Sequence, residues 1–221
     1  MSFSNSEAQT AESVVQSFFT DIGGEENWRN LQSFSGEGRI HYEGLWYPIK
    51  IDKKLGKSRC ELENKFVRGF DNLSFWKEVN GKLAADQETE NNLLTAPFVT
   101  ELLDYKKKGY KLELVSKTRI NWRMCFNIQL VGIDSTGGPM TRNYFFGVSN
   151  FRLLRIIKPS SQGLITTWFS KYRKFSALRH PLVTRLQIDG HTLQLLKLRK
   201  VSFDVPMADE LFTRPSISSW K

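Results

Sequence analysis

Asn121-Trp122-Arg123-Met124-Cys125-Phe126-Asn127-Ile128-Gln129-Leu130 alternates residue by residue. Trp122, Met124, Phe126, Ile128 and Leu130 fall on one face, and Asn121, Arg123, Cys125, Asn127 and Gln129 on the other. A period of two is that of a half-buried β-strand, because successive side chains leave a strand in opposite directions. One apolar and one polar face is the pattern of an antiparallel sheet.

The same period recurs on both sides of this stretch. Arg39 to Glu43 sets Ile40 and Tyr42 against Arg39, His41 and Glu43, and after Gly44-Leu45, Tyr47, Ile49 and Ile51 oppose Lys50 and Asp52. Ser58 to Glu63 turns Cys60 and Leu62 inward. Phe66 to Phe70 and Leu73 to Val79 flank an Asp71-Asn72 turn and end at Asn80-Gly81. C-terminally, the strand-like runs are Tyr144 to Gly147, Phe151 to Lys158, Leu164 to Tyr172, Leu182 to Ile188 and Leu193 to Phe203. Turn residues at Asp134 to Pro139, Asn150, Gly163 and Asp189-Gly190 punctuate them. The expectation is a mainly β (α+β) fold, an antiparallel meander of about ten strands in a single domain over residues 1–221. Gly36-Glu37-Gly38 lacks the third glycine of a dinucleotide fingerprint and reads as a turn.

Two segments keep helical spacing. Ser4 and Glu7 stand as in a capping box, and Ala8, Ala11, Val14, Val15, Phe18, Phe19 and Ile22 form a stripe that Gly23-Gly24 stops. This predicts a helix over about 6–22, packed on the sheet. Thr95 caps a second helix over about 95–108, with Pro97 in its first turn and Phe98, Val99, Leu102, Leu103 and Tyr105 as its stripe. Lys106, Lys107 and Lys108 then fall in its last turn, where the helix dipole favours cations, so the run has a structural role.

The chain has 221 residues and a net charge of +9, from 32 Lys and Arg against 23 Asp and Glu. That balance favours polyanions or anionic membrane surfaces as partners without choosing between them. Met1 to Gln16 holds no apolar run long enough for a signal-peptide core, and no later stretch approaches the ~20 apolar residues of a membrane-spanning helix.

Catalytic and metal-binding patterns are missing from the sequence. His41, His180 and His191 stand at no ligand spacing, and no nucleophile elbow or phosphate loop occurs. Asp86, Glu88 and Glu90 read as a solvated loop, and Cys60 and Cys125 as buried free thiols, or as one disulfide if their strands are neighbours in an exported protein. The expectation is a non-enzyme with no cofactor and no metal. Lys171, Arg173, Lys174 and Arg179 interleave with Tyr172 and Phe175, but no RNP-type motif accompanies them, which argues against nucleic acid. The heavier signal is 6 Trp, 6 Tyr and 16 Phe, with Trp46, Trp76, Trp122 and Trp168 in strands or at their ends. Such a sheet could curl around a cavity for acyl chains.

Tyr144-Phe145-Phe146-Gly147 followed by Phe151-Arg152-Leu153-Leu154-Arg155-Ile156, then Thr166 to Arg173, His180-Pro181 and Asp189-Gly190, resemble successive strands and turns of the LolA-like superfamily of outer-membrane lipoprotein-sorting proteins. Val201 to Pro206 and Asp209 to Pro215 are similar to its closing strand and tail, Phe34 to Gly38 to its first strand, and Gly69-Phe70-Asp71-Asn72 to a later turn. Two departures stand out. Ser176-Ala177-Leu178-Arg179 lacks the loop glycine, and no counterpart of the carriers' Arg-Pro pair lies near Lys50 to Arg59.

The resemblance implies a strongly curved antiparallel sheet or half-open barrel under lid helices, located in the periplasm. Its ligand would be a lipid, an acyl chain or an acylated protein. The cavity it implies would be lined by Trp46, Trp76, Phe98, Leu102, Leu103, Trp122, Met124, Phe126, Ile128, Phe146 and Trp168. The alternative on the same scaffold is a protein- or membrane-interaction and sensor module with a filled core and a basic surface.

Overall fold

Strand β1 (Ser33–Tyr42) pairs on one side with β2 (Leu45–Lys54) and on the other with β13 (His191–Phe203), so the first and last strands lie side by side. The computed structural model in which this is seen describes residues 9–84, 100–134 and 137–214. From β2 the chain continues through β3 (Lys57–Leu62), β4 (Phe66–Phe70), β5 (Phe75–Val79) and β6 (Lys82–Ala84). The second run is β7 (Lys111–Ile120), β8 (Arg123–Ile133), β9 (Pro139–Gly147), β10 (Leu153–Ser160), β11 (Gly163–Phe175) and β12 (Leu178–Ile188), then β13. Together they make one open, curved, antiparallel sheet of thirteen strands in the order β6-β5-β4-β3-β2-β1-β13-β12-β11-β10-β9-β8-β7.

The expected count of about ten strands was too low. β6 is only three residues long, and β7 carries Lys111, Glu113, Ser116, Lys117 and Arg119 on an edge of the sheet, which weakens its apolar alternation. Gly36-Glu37-Gly38 is not a turn. It is a bulge inside β1, where the register against β13 slips between Glu37 and Gly38. A Cβ on Gly38 would lie 2.1 Å from the Lys197 carbonyl oxygen, so only glycine fits there. Further slips at Leu114/Ser116, Leu153/Arg155 and Leu186/Gln187 add local bend and twist.

Helix α1 (Ala11–Asp21) begins at Thr10, whose side chain accepts from the Ser13 amide while Ser13 Oγ accepts from the Thr10 amide. The start expected at Ser4 lies outside the described residues. Gly24 donates to the Phe19 carbonyl at 2.7 Å and ends the helix. Gly23 has φ +113° and presses on β12, where a Cβ would come within 2.3 Å of the Ala177 oxygen. The Arg179 amide donates to the Ile22 carbonyl at 2.9 Å, tying that end to the sheet. A one-turn helix, α2 (Glu25–Arg29), follows.

The second expected helix is shorter in the structure. α3 covers Thr100–Asp104, while Thr95, Pro97 and Phe98 lie outside the described residues. Lys106 to Lys108 follow α3 in a turn rather than filling its last turn, and that turn closes with the Tyr110 amide on the Tyr105 carbonyl at 2.8 Å.

Two apolar clusters occupy the same face of the sheet. The larger joins Val14, Phe18, Phe19 and Ile22 of α1, Trp28 of α2 and Leu102 of α3 to Phe126, Ile128, Tyr144, Phe146 and Leu153. Phe18 stacks tilted on Phe146 with ring centroids 5.2 Å apart. The smaller joins Ile40, Ile49, Ile51, Cys60, Leu62, Ile165, Leu186, Leu196 and Leu198. The row Tyr47, Ile40, Leu196, Thr184, Phe169 crosses β2, β1, β13, β12 and β11 by direct pairing, which puts both clusters on one side. Phe203 touches both. A third, small cluster of Ile120, Cys125 and Phe145 lies on the opposite face. The two cysteines are therefore free thiols on opposite sides of the sheet, and they do not pair.

His180 sits at the junction of the large clusters, its ring 5.2 Å from Phe34 and 6.2 Å from Phe203. Burial pushes its pKa down to about 4, despite the hydrogen bond to the Pro181 carbonyl. The folded state therefore holds fewer protons than the unfolded chain below the ordinary histidine value of ~6.5. The stability that the neutral ring supplies is complete above that value and is lost as pH falls toward 4.

Urea unfolding at pH 7.5 and 4.5 should show the wild type losing roughly 2–3 kcal/mol more than His180→Phe over the same interval. At neutral pH, Phe18→Ala should cost about 3–5 kcal/mol. Leu73→Ala, at a position 91% exposed, should leave the urea midpoint unchanged.

Candidate functional site

The inner face, which carries the two large clusters, divides by what covers it. Over β7 to β12 the cover is helical. Phe18, Phe146 and Leu153 are wholly buried there. Leu102 anchors α3 into the same cluster, with Leu103 packed at its margin. Polar contacts fix α3 as well. Tyr144 Oη donates to Glu101 Oε2 at 2.5 Å, and Arg142 forms an ion pair with Glu101. Arg29 reaches from α2 to Asp104 Oδ1 at 3.1 Å and to the Leu103 carbonyl.

Over β1 to β4 and β11 to β13 the cluster is built wholly from strand side chains, and among the described residues no helical side chain joins it. Half-buried Tyr42, Tyr47, Phe66, Leu182 and Ile188 border it. Its far margin is basic. Ile51, Cys60, Arg68 and Lys77 lie in one row across β2 to β5, and Arg68 and Lys77 approach the Phe66 ring at 5.8 and 5.0 Å. Burial lowers the pKa of Lys53, two residues along β2 from Ile51, and raises that of the Cys60 thiol. A thiol held protonated in apolar surroundings is a poor nucleophile. Among the described residues no group of His, Cys, Asp and Glu is placed to hold a metal ion. No helix among them is long and apolar enough to cross a membrane.

Of the cavity residues expected from sequence, Phe126, Ile128, Phe146, Leu102 and Leu103 do converge on the inner face. Phe98 lies outside the described residues. Met124 is 44% exposed at the start of β8.

The strand tryptophans go elsewhere. Trp122 is 91% exposed in the β7–β8 turn, where it and Asn121 both have positive φ. Trp46 and Trp168 belong to the outer face, in the pairing row Trp46, His41, Leu195, Arg185, Trp168, Arg155, Phe145, Asn127. Trp76 is adjacent to inward-facing Lys77 and so is also outward. It is buried beneath the 3-10 turn Asp209–Phe212 and donates from Nε1 to the Phe212 carbonyl at 3.1 Å.

Among the described residues the tryptophan that does face inward is Trp28, whose Nε1 donates to the Ile22 carbonyl at 3.1 Å while its ring meets Phe203 edge-on at 5.7 Å. A five-residue helix with one aromatic residue shows no periodicity, so nothing in the sequence signalled it.

No family model matches the chain, and no curated protein matches it. Solved structures do. A LolA superfamily protein from Nitrosomonas europaea superposes with a TM-score of 0.61 at 15% identity, over 94% of this chain and 99% of that one. A DUF1329 family protein from Desulfovibrio piger gives a TM-score of 0.62 at 11% identity, over 97% and 100%. A putative outer membrane lipoprotein-sorting protein domain from Vibrio parahaemolyticus gives 0.56 at 11% identity, over 90% and 94%. Coverage is nearly complete on both sides in each case, and what is shared at such identities is the path of the backbone. The chain has a LolA-like fold.

Proposed function

We propose that this protein is a non-enzymatic carrier, working in the periplasm, that holds an acyl chain or an acylated protein segment against the inner face of its sheet. The observation that carries this reading is the second apolar cluster, built from strand side chains alone in a LolA-like fold. An acyl chain laid along the half-buried Tyr42, Tyr47, Phe66, Leu182 and Ile188 at the border of that cluster gains about 0.8 kcal/mol per buried methylene. The basic margin at Lys53, Arg68 and Lys77 is complementary to an anionic head group at the chain's end. Release would proceed by transfer to a competing site of higher affinity.

A second reading has an observation of its own. α1 already fills the larger cluster, so the fold could serve as a protein- or membrane-interaction module with a filled core.

Native mass spectrometry after gentle extraction separates the two. Co-purified lipid is expected, together with saturable binding of a fluorescent fatty acid. Phe66→Ala should weaken that binding by about tenfold, the equivalent of one to two lost methylene contacts. Trp122→Lys, in the exposed turn, should leave it unchanged. A ligand-free chain that also ignores the fatty acid would overturn the carrier reading in favour of the interaction module.

A further inference from the structure

We propose that the outer face carries a second binding site, a pocket that takes a small carboxylate bearing a hydrogen-bond donor such as an amide N–H. The pocket lies on the side of the sheet opposite the acyl site and does not rest on that reading. It has a volume of about 410 Å³ and is built where the outer row passes from β11 to β7.

At its centre is Arg155. The guanidinium carbon stands 4.2 Å from the Phe145 ring centroid and 5.0 Å from that of Trp168, so the cation is held between two aromatic rings. The Trp168 ring is itself fixed, because its Nε1 donates to Gln187 Oε1 at 2.6 Å. Arg155 Nε is sealed beneath these rings with no hydrogen-bond partner, while the terminal guanidinium nitrogens are not so sealed. The open end of the cation therefore belongs to the pocket wall. No ion pair to Arg155 exists among the described residues, and the side chains lining the pocket include no carboxylate.

The rest of the wall matches a ligand in detail. Ser116 and Thr118 supply hydroxyls from the edge strand β7. Asn127 Oδ1 is buried without a donor, although it lines the same pocket. Two features distinguish this place from the other cation–aromatic contacts of the outer face. At Trp46, Lys197 and Arg39 approach the ring at 4.6 and 5.9 Å, but the residue is 37% exposed. At Arg155 a partly desolvated cation and an unpaired acceptor share one concavity. Burial of a charge without a counter-charge is costly, and a bound anion removes that cost. A planar guanidinium clamped between rings presents a flat edge, the geometry that pairs with a planar carboxylate. A ligand N–H beside the carboxylate would satisfy Asn127.

The test uses the full chain, 15N-labelled, titrated with N-acetylglycine at constant ionic strength while the Trp168 indole N–H resonance is followed. N-acetylglycinamide serves as the neutral control. Saturable movement of the Trp168 signal by N-acetylglycine is expected, at the millimolar concentrations suited to so small a ligand. The amide control and Arg155→Gln should each weaken binding by about tenfold or more, as loss of a charge-assisted pair would. If Arg155→Gln does not fold, Asn127→Ala decides, and it should weaken binding about threefold without altering the spectrum elsewhere. Equal binding of acid and amide, failure to saturate, or undiminished binding in the folded variants would overturn the proposal.

Discussion

The pairing of β1 with β13 is the constraint on which the rest of the structure depends. Each of the two meanders, β1 to β6 and β7 to β13, is built from neighbours in sequence joined by short turns. Only this one ladder, from Phe34↔Phe203 to Tyr42↔Gln194, joins them into a single sheet. It also sets both apolar clusters on one face, because Ile40 pairs with Leu196 and continues the inner row into the helix-covered half. The loop closure is long in sequence and its entropic cost is correspondingly high. Its return is a shared interior in which Phe203 and His180 bridge the two halves. The Glu37/Gly38 bulge lies within this ladder, so the strand bends where the halves meet.

The same topology leaves two edges, β6 and β7, and both are blunted in ways that discourage pairing with another chain. β6 is three residues long, and β7 carries Lys111, Glu113, Lys117 and Arg119 together with a slip at Val115. The segment between them in sequence includes α3, which is docked on the inner face through Leu102. Its polar attachments through Glu101 to Tyr144 and Arg142 are therefore also what positions the approach to β7.

Much of this architecture was legible in the sequence, and the losses have a common cause. The alternation of β8 correctly grouped Phe126, Ile128 and Leu130, and the apolar stripe of α1 correctly marked Val14, Phe18 and Ile22 as the face that packs. Alternation, however, reports only that neighbours point to opposite sides. Which side is the interior depends on pairing partners and on bulges, each of which inserts a residue and reverses the sense. Trp46, Trp76 and Trp168 were thus read as inward by their size, whereas register puts them outward beside His41, Gly69 and Arg155. Trp122 looked like the first member of the β8 stripe, but Asn121 and Trp122 make a tight turn with positive φ and no glycine to announce it. β7 escaped notice because an edge strand with one slip has no clean period of two. The turn read at Gly36-Glu37-Gly38 failed for a related reason: glycine there serves the close approach of the Lys197 carbonyl, a partner 159 positions away in the numbering.

The tryptophan placement changes what the aromatic excess means. Had the four strand tryptophans lined the interior, the inner face would offer wide, rigid, polarisable walls. It offers mainly aliphatic side chains and phenylalanine instead, an interior held together by non-directional apolar burial. The tryptophans outside do different work. Indole rings on the outer rows lie among Arg39, Lys197, Arg155 and Arg185, and Arg39, Lys197 and Arg155 are set against their faces. A cation held in that way stays available to an incoming anion, since an aromatic quadrupole attracts a positive charge without neutralising it. The sheet therefore separates two kinds of surface by one peptide thickness, apolar within and, along the row from Trp46 to Asn127, aromatic and cationic without. The alternation that identified the fold is also what keeps them apart.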